Sequence, residues 1–224
     1  MTQKILVIAP HADDEILGCG GTISKYSLFG YDVRVLILTD ANKGAPELFS
    51  KKYIINVREE AKKANKIIGT KKLYFEDLPA LKLNQYPFYK ISKTIENYIE
   101  KLKPEVILLP SGNDLHDDHK ITFRATKVAS RINKKSSLKK ILSYEVLSET
   151  EWNENEKSFN PNYFVSLGGI NINSKIQAFL KYKSQNRKFP HPRSTEGILN
   201  LSKVRGSQVF MEHAEAFKVE KIID

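Results

Sequence analysis

Two short clusters carry residue types suited to metal-centred chemistry. Pro10-His11-Ala12-Asp13-Asp14-Glu15 follows the apolar run Ile5-Leu6-Val7-Ile8-Ala9, and His116-Asp117-Asp118-His119 follows Val106-Ile107-Leu108-Leu109. Acids crowded into a core are unfavourable without a compensating cation. At the carboxyl end of a buried parallel strand, however, an open α/β sheet places its ligand crevice. A catalytic zinc centre takes three protein ligands and keeps one position for water. His11, Asp14 and His119 supply two imidazoles and a carboxylate, a set that ferrous iron also accepts. Asp13 beside such an ion could take a proton from water whose pKa the metal lowers. His116 could stabilise a developing oxyanion or protonate a leaving group, if Asp118 or Asp117 holds it as imidazolium.

The clusters are about a hundred residues apart in sequence, so the fold must bring them together. Strand and helix patterns alternate. Strands are expected over Lys4–Ala9, Val33–Thr39, Leu73–Phe75, Val106–Pro110, Lys140–Leu147 and Tyr163–Leu167. Helices are expected over Gly20–Phe29, Lys52–Ile68, Phe88–Leu102, Ile121–Ile132 and Ser174–Ser184, the last opened by a serine cap. Asn42–Ser50 and Gln185–Arg193 read as loops, and Leu199–Phe217 as partly helical. The alternation implies an α/β fold, a Rossmann-like three-layer sandwich with a mainly parallel central sheet and a C-terminal extension. In the strand order 3-2-1-4-5, strands one and four are neighbours, so both clusters open into one crevice. Gly18, Gly20 and Gly21 permit close packing of helix on strand. They are no dinucleotide fingerprint, because His11 and the acids occupy the place where a pyrophosphate needs backbone donors.

The chain of 224 residues reads as one domain over 1–224, with 41% hydrophobic and 28% charged residues, ordinary for a globular protein. No secretory leader pattern opens the sequence. No stretch reaches the roughly 18 apolar residues of a transmembrane segment. The single cysteine, Cys19, excludes an intrachain disulfide and suits a cytoplasmic location. The formal charge of +10 is scattered over pairs such as Lys51-Lys52 and Lys62-Lys63. No basic block interleaved with aromatics suggests nucleic-acid binding, so no nucleic-acid partner is expected.

Residues 10–22, Pro-His-Ala-Asp-Asp-Glu-Ile-Leu-Gly-Cys-Gly-Gly-Thr, together with His-Asp-Asp-His at 116–119, resemble the PIG-L/LmbE family of metal-dependent N-deacetylases. The resemblance extends through Arg58, Glu59-Glu60 and Gly69 to Tyr182-Lys183-Ser184-Gln185, His191-Pro192-Arg193-Ser194 and Glu212-His213-Ala214-Glu215-Ala216-Phe217. It implies His11, Asp14 and His119 as zinc ligands, Asp13 as general base, His116 as electrophilic or acid partner, and Asp118 as the acid that orients a histidine. It further implies hydrolysis of the acetamide of an N-acetylglucosamine-type conjugate, nucleotide- or lipid-linked among other carriers. One departure bears on the substrate. Relatives carry an aspartate near Leu-Pro-Asp after the third strand, whereas this chain reads Leu78-Pro79-Ala80.

Arg58, His191 and Arg193 are the candidate substrate-binding residues, the last two on a loop stiffened by Pro190 and Pro192. Arg205 and Glu212 are candidates for a brace within the C-terminal part. A homo-oligomer is compatible with this reading. The main rival is a metal-dependent phosphoesterase acting on an anionic small molecule, since His/Asp sets also build two-metal centres. A phosphoryl-receiver module, with acids after strand one binding magnesium, is the best non-enzyme rival.

Overall fold

The computed structural model describes residues 3–131, 136–153 and 158–223. At its centre β1 (Lys4–Ala9) lies between two parallel neighbours, β2 (Asp32–Asp40) and β4 (Val106–Pro110). Strands covered on both faces have no wet side, so their sequences run almost continuously apolar. Period-two alternation still sorts the side chains. Ile5, Val7 and Ala9 enter one core cluster, and Leu6 and Ile8 the other. The first cluster is covered by α1 (Asp14–Leu28), α3 (Lys51–Ile67) and α6 (Gly169–Phe179), the second by α4 (Phe88–Leu102) and α5 (Asp117–Ala129). Each fully buried Leu or Ile contributes roughly 1.5–3 kcal/mol of apolar burial.

The sheet runs β3-β2-β1-β4-β5-β7-β6, with β3 (Lys72–Pro79) at one edge, β5 (Lys140–Tyr144) past the centre, and β6 (Tyr163–Ser166) at the other edge. The expected 3-2-1-4-5 order is therefore present, and the C-terminal extension adds two strands. β7 (Ala214–Ile222) pairs antiparallel with both β5 and β6. Ile5 pairs with Val106 and Val7 with Leu108, so the chain leaves β1 and β4 side by side.

Several boundaries differ from the sequence pattern. Leu199–Phe217 is helical in part, as expected, within α7 (Thr195–Ser207), but its last residues open a separate strand, β7. Ala214–Ile222 is rich in Ala, Glu and Lys, and strand pairing overrides that local preference. β3 extends to eight residues and β5 stops at Tyr144, while a short helix, α2 (Ala41–Gly44), overlaps the start of the expected 42–50 loop. α6 begins at Gly169 rather than Ser174, and α5 opens at Asp117 and ends at Ala129; the expected end at residue 132 lies outside the described residues. Arg205 pairs with Glu145, both contacts at 2.7 Å, rather than with Glu212.

α1 starts at Asp14, six residues before the position its glycines suggest, because those glycines lie within it at a break centred on Cys19 (φ −146°, ψ 21°). The break frees backbone groups, and a buried pair satisfies them. Gly21 N and Thr22 N donate to Glu215 of β7 at 2.9 and 2.6 Å. Lys175 Nζ donates to Leu17 O at 2.7 Å and to Glu215 at 2.6 Å. Gly18 is required by packing: a Cβ there would sit 2.2 Å from the Tyr144 ring.

Candidate active site

The chain leaves β1 through Pro10 into a turn whose backbone is strained. Asp13 has φ 120° and ψ −28°, a region that non-glycine residues rarely occupy and that persists only where surroundings enforce it. Glu15 supplies the enforcement. Its carboxylate accepts from Asp13 N at 3.0 Å, and is itself fixed by Tyr182 Oη at 2.6 Å and Asn65 Nδ2 at 2.8 Å. Burial pushes the Glu15 carboxyl up to about 7 against those hydrogen bonds.

Across the β1–β4 seam, three donor groups converge. His11 Nδ1 lies 3.3 Å from Asp14 Oδ2, His119 Nε2 lies 3.2 Å from the same oxygen, and the two imidazole nitrogens are 3.3 Å apart. A tetrahedral ion with bonds of about 2.0–2.1 Å sets its ligands about 3.3–3.4 Å from one another. The donor set fits a single divalent ion on that measure. Asp14 Oδ1, buried with no hydrogen-bond partner, supports the same fit.

Each ligand candidate is braced from behind. His11 Nε2 is 3.1 Å from Asp118 Oδ2, and the Asp118 carboxylate also accepts from Leu81 N at 2.6 Å and Leu83 N at 3.2 Å. His119 Nδ1 faces Asp114 Oδ2 at 3.1 Å, a contact of charge rather than an aligned hydrogen bond. Carboxylates behind ligating histidines fix tautomer and ring orientation. Burial alone would lower His11, but Asp118 and Asp14 raise it to about 9. Burial would raise Asp14, but the charge of His119 and hydrogen bonds from both histidines hold it well below the usual carboxylate range.

Asp13 projects into an open cavity of about 330 Å³ that His11 and His116 also line. Burial pushes its carboxyl up to about 8, while Arg193, 3.3 Å away, pulls in the opposite direction. His116 caps α5: its Nδ1 accepts from Asp118 N at 3.1 Å. Here the imidazolium expectation fails. The Asp118 carboxylate goes to His11, and Asp117 is an exposed residue paired with Lys120 at 3.2 Å. Burial, with the charges of His11 and His119, lowers His116 to about 4. A neutral ring whose Nδ1 accepts carries its proton on Nε2, so His116 is a hydrogen-bond donor without being a cation. Asp118 is buried, outside the cavity lining, with its carboxylate against His11.

The substrate-binding candidates divide. Arg58 lines the main cavity beside Phe75, and its guanidinium bonds Asp77, Asp40 at 3.4 Å and Glu76 O at 3.3 Å. Arg193 also lines it, held by Asp13, Glu149 at 2.8 Å, Gln185 at 3.2 Å and Ser148 Oγ at 2.6 Å. His191 lies outside this cavity, on an exposed turn where its Nδ1 accepts from Arg193 N at 3.0 Å. The position of the missing aspartate is Ala80, which lines the cavity with Leu81. Residues not singled out from sequence complete the site. Asp114 stands two positions before His116, where a carboxylate just past a strand end was its one signal; Glu149 and Asn65 carried none.

The PIG-L family profile, described as GlcNAc-PI de-N-acetylase, matches residues 6–130. Diacetylchitobiose deacetylase of Thermococcus kodakarensis is 30% identical over 194 residues, covering 82% of this chain and 70% of its own. Among solved structures, the conserved protein TT1542 from Thermus thermophilus superposes with a TM-score of 0.78 at 24% identity, covering 100% of this chain and 97% of that one. The 4-carboxy-2-hydroxymuconate hydratase GalB of Pseudomonas putida superposes with 0.73 at 19%, covering 100% and 98%. The fold by itself thus hosts more than one reaction. The chain belongs to the PIG-L family and is an enzyme of its deacetylase class. No helix among the described residues is long and apolar enough to cross a membrane.

Proposed function

We propose that this chain is a zinc-dependent hydrolase that removes the acetyl group from an N-acetylated amino-sugar conjugate of the N-acetylglucosamine type, giving acetate and a free amine. The observation that carries the reading is the convergence of His11, Asp14 and His119 at the floor of a cavity into which Asp13 and His116 project. In this reading those three residues hold the ion. When bound, zinc supplies Lewis acidity that acidifies a water and polarises the acetamide carbonyl.

The chain's own groups supply the rest. Asp13 takes the proton of the attacking water at its carboxylate, with Arg193 fixing that carboxylate and Glu15 fixing its backbone. His116 offers Nε2–H to the oxygen on which negative charge develops. Asp118 and Asp114 keep the two imidazoles aimed. Arg58, which lies against Phe75 on the cavity wall, is the residue assigned here to the sugar hydroxyls. The apolar wall of Phe49, Tyr53, Val57 and Phe75 accommodates a lipid- or nucleotide-linked sugar. The single cysteine suits action in the reducing cytoplasm.

A two-metal phosphoesterase is less well supported. The second candidate group among the described residues, His11, His116 and Asp118, reuses His11, so it offers no independent ligand set for a second ion. The test is acetate release from N-acetylated mono- and disaccharides, with and without chelator, and after zinc is restored. Chelator-sensitive acetate release supports the reading. Release of phosphate from phosphate esters, with no acetate from any N-acetyl sugar, would overturn it.

A further inference from the structure

Beyond the reaction floor, a second open cleft of about 480 Å³ lies against the first and shares Glu149, Gln185, Arg187 and Arg193 with it. Its remaining walls are Ser148, Trp152, His191 and Pro192. Trp152 is the chain's one tryptophan, and it is 65% exposed. Its indole offers a flat apolar face at the wall of the cleft, next to the cleft's polar groups.

The turn that presents Trp152 is tied to the chemistry from both sides. Thr150 Oγ1 donates to Asp114 Oδ2 at 2.7 Å, the carboxylate oxygen that faces His119. Glu149 accepts from Arg193 Nη2 at 2.8 Å, and Arg193 Nη1 lies 3.3 Å from Asp13. Trp152 N closes the turn on Glu149 O at 3.2 Å. The backbone that carries the indole is therefore anchored to the residues around the reacting groups.

Around it stand donors and acceptors in a mixed ring. Arg187 is exposed, and His191 accepts at Nδ1 from Arg193 N, which leaves its Nε2 to donate. Gln185, Glu149 and Ser148 bring oxygen acceptors. A pyranose ring has an apolar C–H face and an edge of hydroxyls that both donate and accept. A flat aromatic flanked by mixed polar groups matches that pattern. A phosphate would instead need several cations converging on it, whereas Arg193 is already paired with two carboxylates and Arg187 Nη1 donates to the carbonyl oxygens of Ser184 and Asn186.

We infer that this cleft is a subsite for a second sugar ring, stacked on Trp152 and joined to the ring whose acetamide is cleaved. The inference rests on the proposed deacetylase reading and narrows its substrate to di- or oligosaccharides. Because Trp152 is the sole tryptophan, its emission reports on the cleft alone. Titration with the N-acetylated β-1,4-linked disaccharide of glucosamine should change that emission saturably, whereas the N-acetylated monosaccharide should leave it nearly flat. In Trp152→Leu, the ratio of disaccharide to monosaccharide kcat/KM should fall about tenfold, the scale of one lost stacking contact. Trp152→Phe should restore most of that ratio. The ratio is independent of the folded fraction of either variant. A ratio unchanged in Trp152→Leu, or a loss confined to uridine-diphosphate-linked N-acetylglucosamine, overturns the inference. If the wild type releases no acetate at all, the deacetylase reading fails instead, and the emission titration still decides whether the cleft binds a disaccharide.

Discussion

The floor and the mouth of the cavity are built on opposite principles. At the floor and in the layer beneath it, Asp13, Asp14, Glu15, Asp118 and His119 are each no more than 2% exposed, and each is held by polar partners from distant parts of the chain. Around the mouth, Phe49, Tyr53, Val57 and Phe75 form an apolar wall, beside polar groups such as Arg58 and Gln185. A buried ionic network tolerates no missing member, because each leaves an uncompensated charge behind. An apolar wall tolerates many shapes. The floor therefore specifies a reaction, and the mouth specifies a substrate only loosely.

Substitutions graded from floor to mouth should show this contrast as a falling series. Asp14→Ala should abolish acetate release and remove bound metal, read by metal analysis of the purified variant. Asp13→Asn should keep its metal yet lose roughly 10²–10⁴ in kcat, the range of a positioned general base. Full turnover in that variant would break the role assigned to Asp13. His116→Ala should also keep metal and lose about 10²–10³ in kcat, as for one oxyanion donor. Asp118→Asn should weaken metal affinity by roughly 10–100-fold, measured by competition with a chelator, because it acts only through His11. Arg58→Ala at the mouth should raise KM by about tenfold with little change in kcat, the pattern of lost uniform binding. A fall in kcat as large as that of Asp13→Asn would erase the distinction between the two regions.

The same contrast decides what could be read from the sequence. The floor was legible because its residues are chemically expensive where they stand: two polar clusters ending apolar strands require a reason, and the 3-2-1-4-5 order supplies their meeting point. What supports the floor was less visible. Asp114 and Glu149 are ordinary acids until Thr150 and Arg193 arrive from elsewhere to pair with them. Asp118 lies inside its motif, yet its partner is His11 rather than His116, a choice only three-dimensional packing makes. In the fold, α1 looked interrupted because glycine is a poor helix former. Its continuation depends on Glu215 and Lys175, some 150–200 residues further along. β7 escaped notice for a related reason: its helix-favouring residues become a strand through pairing with β5 and β6.

The measurement that bears most directly on the central claim is anomalous diffraction at the zinc edge from crystals of the metal-loaded enzyme. The account predicts one peak per chain, at about 2.0–2.1 Å from a nitrogen of His11, a nitrogen of His119 and an oxygen of Asp14. Two peaks, or a single peak bonded to none of these three, would contradict it.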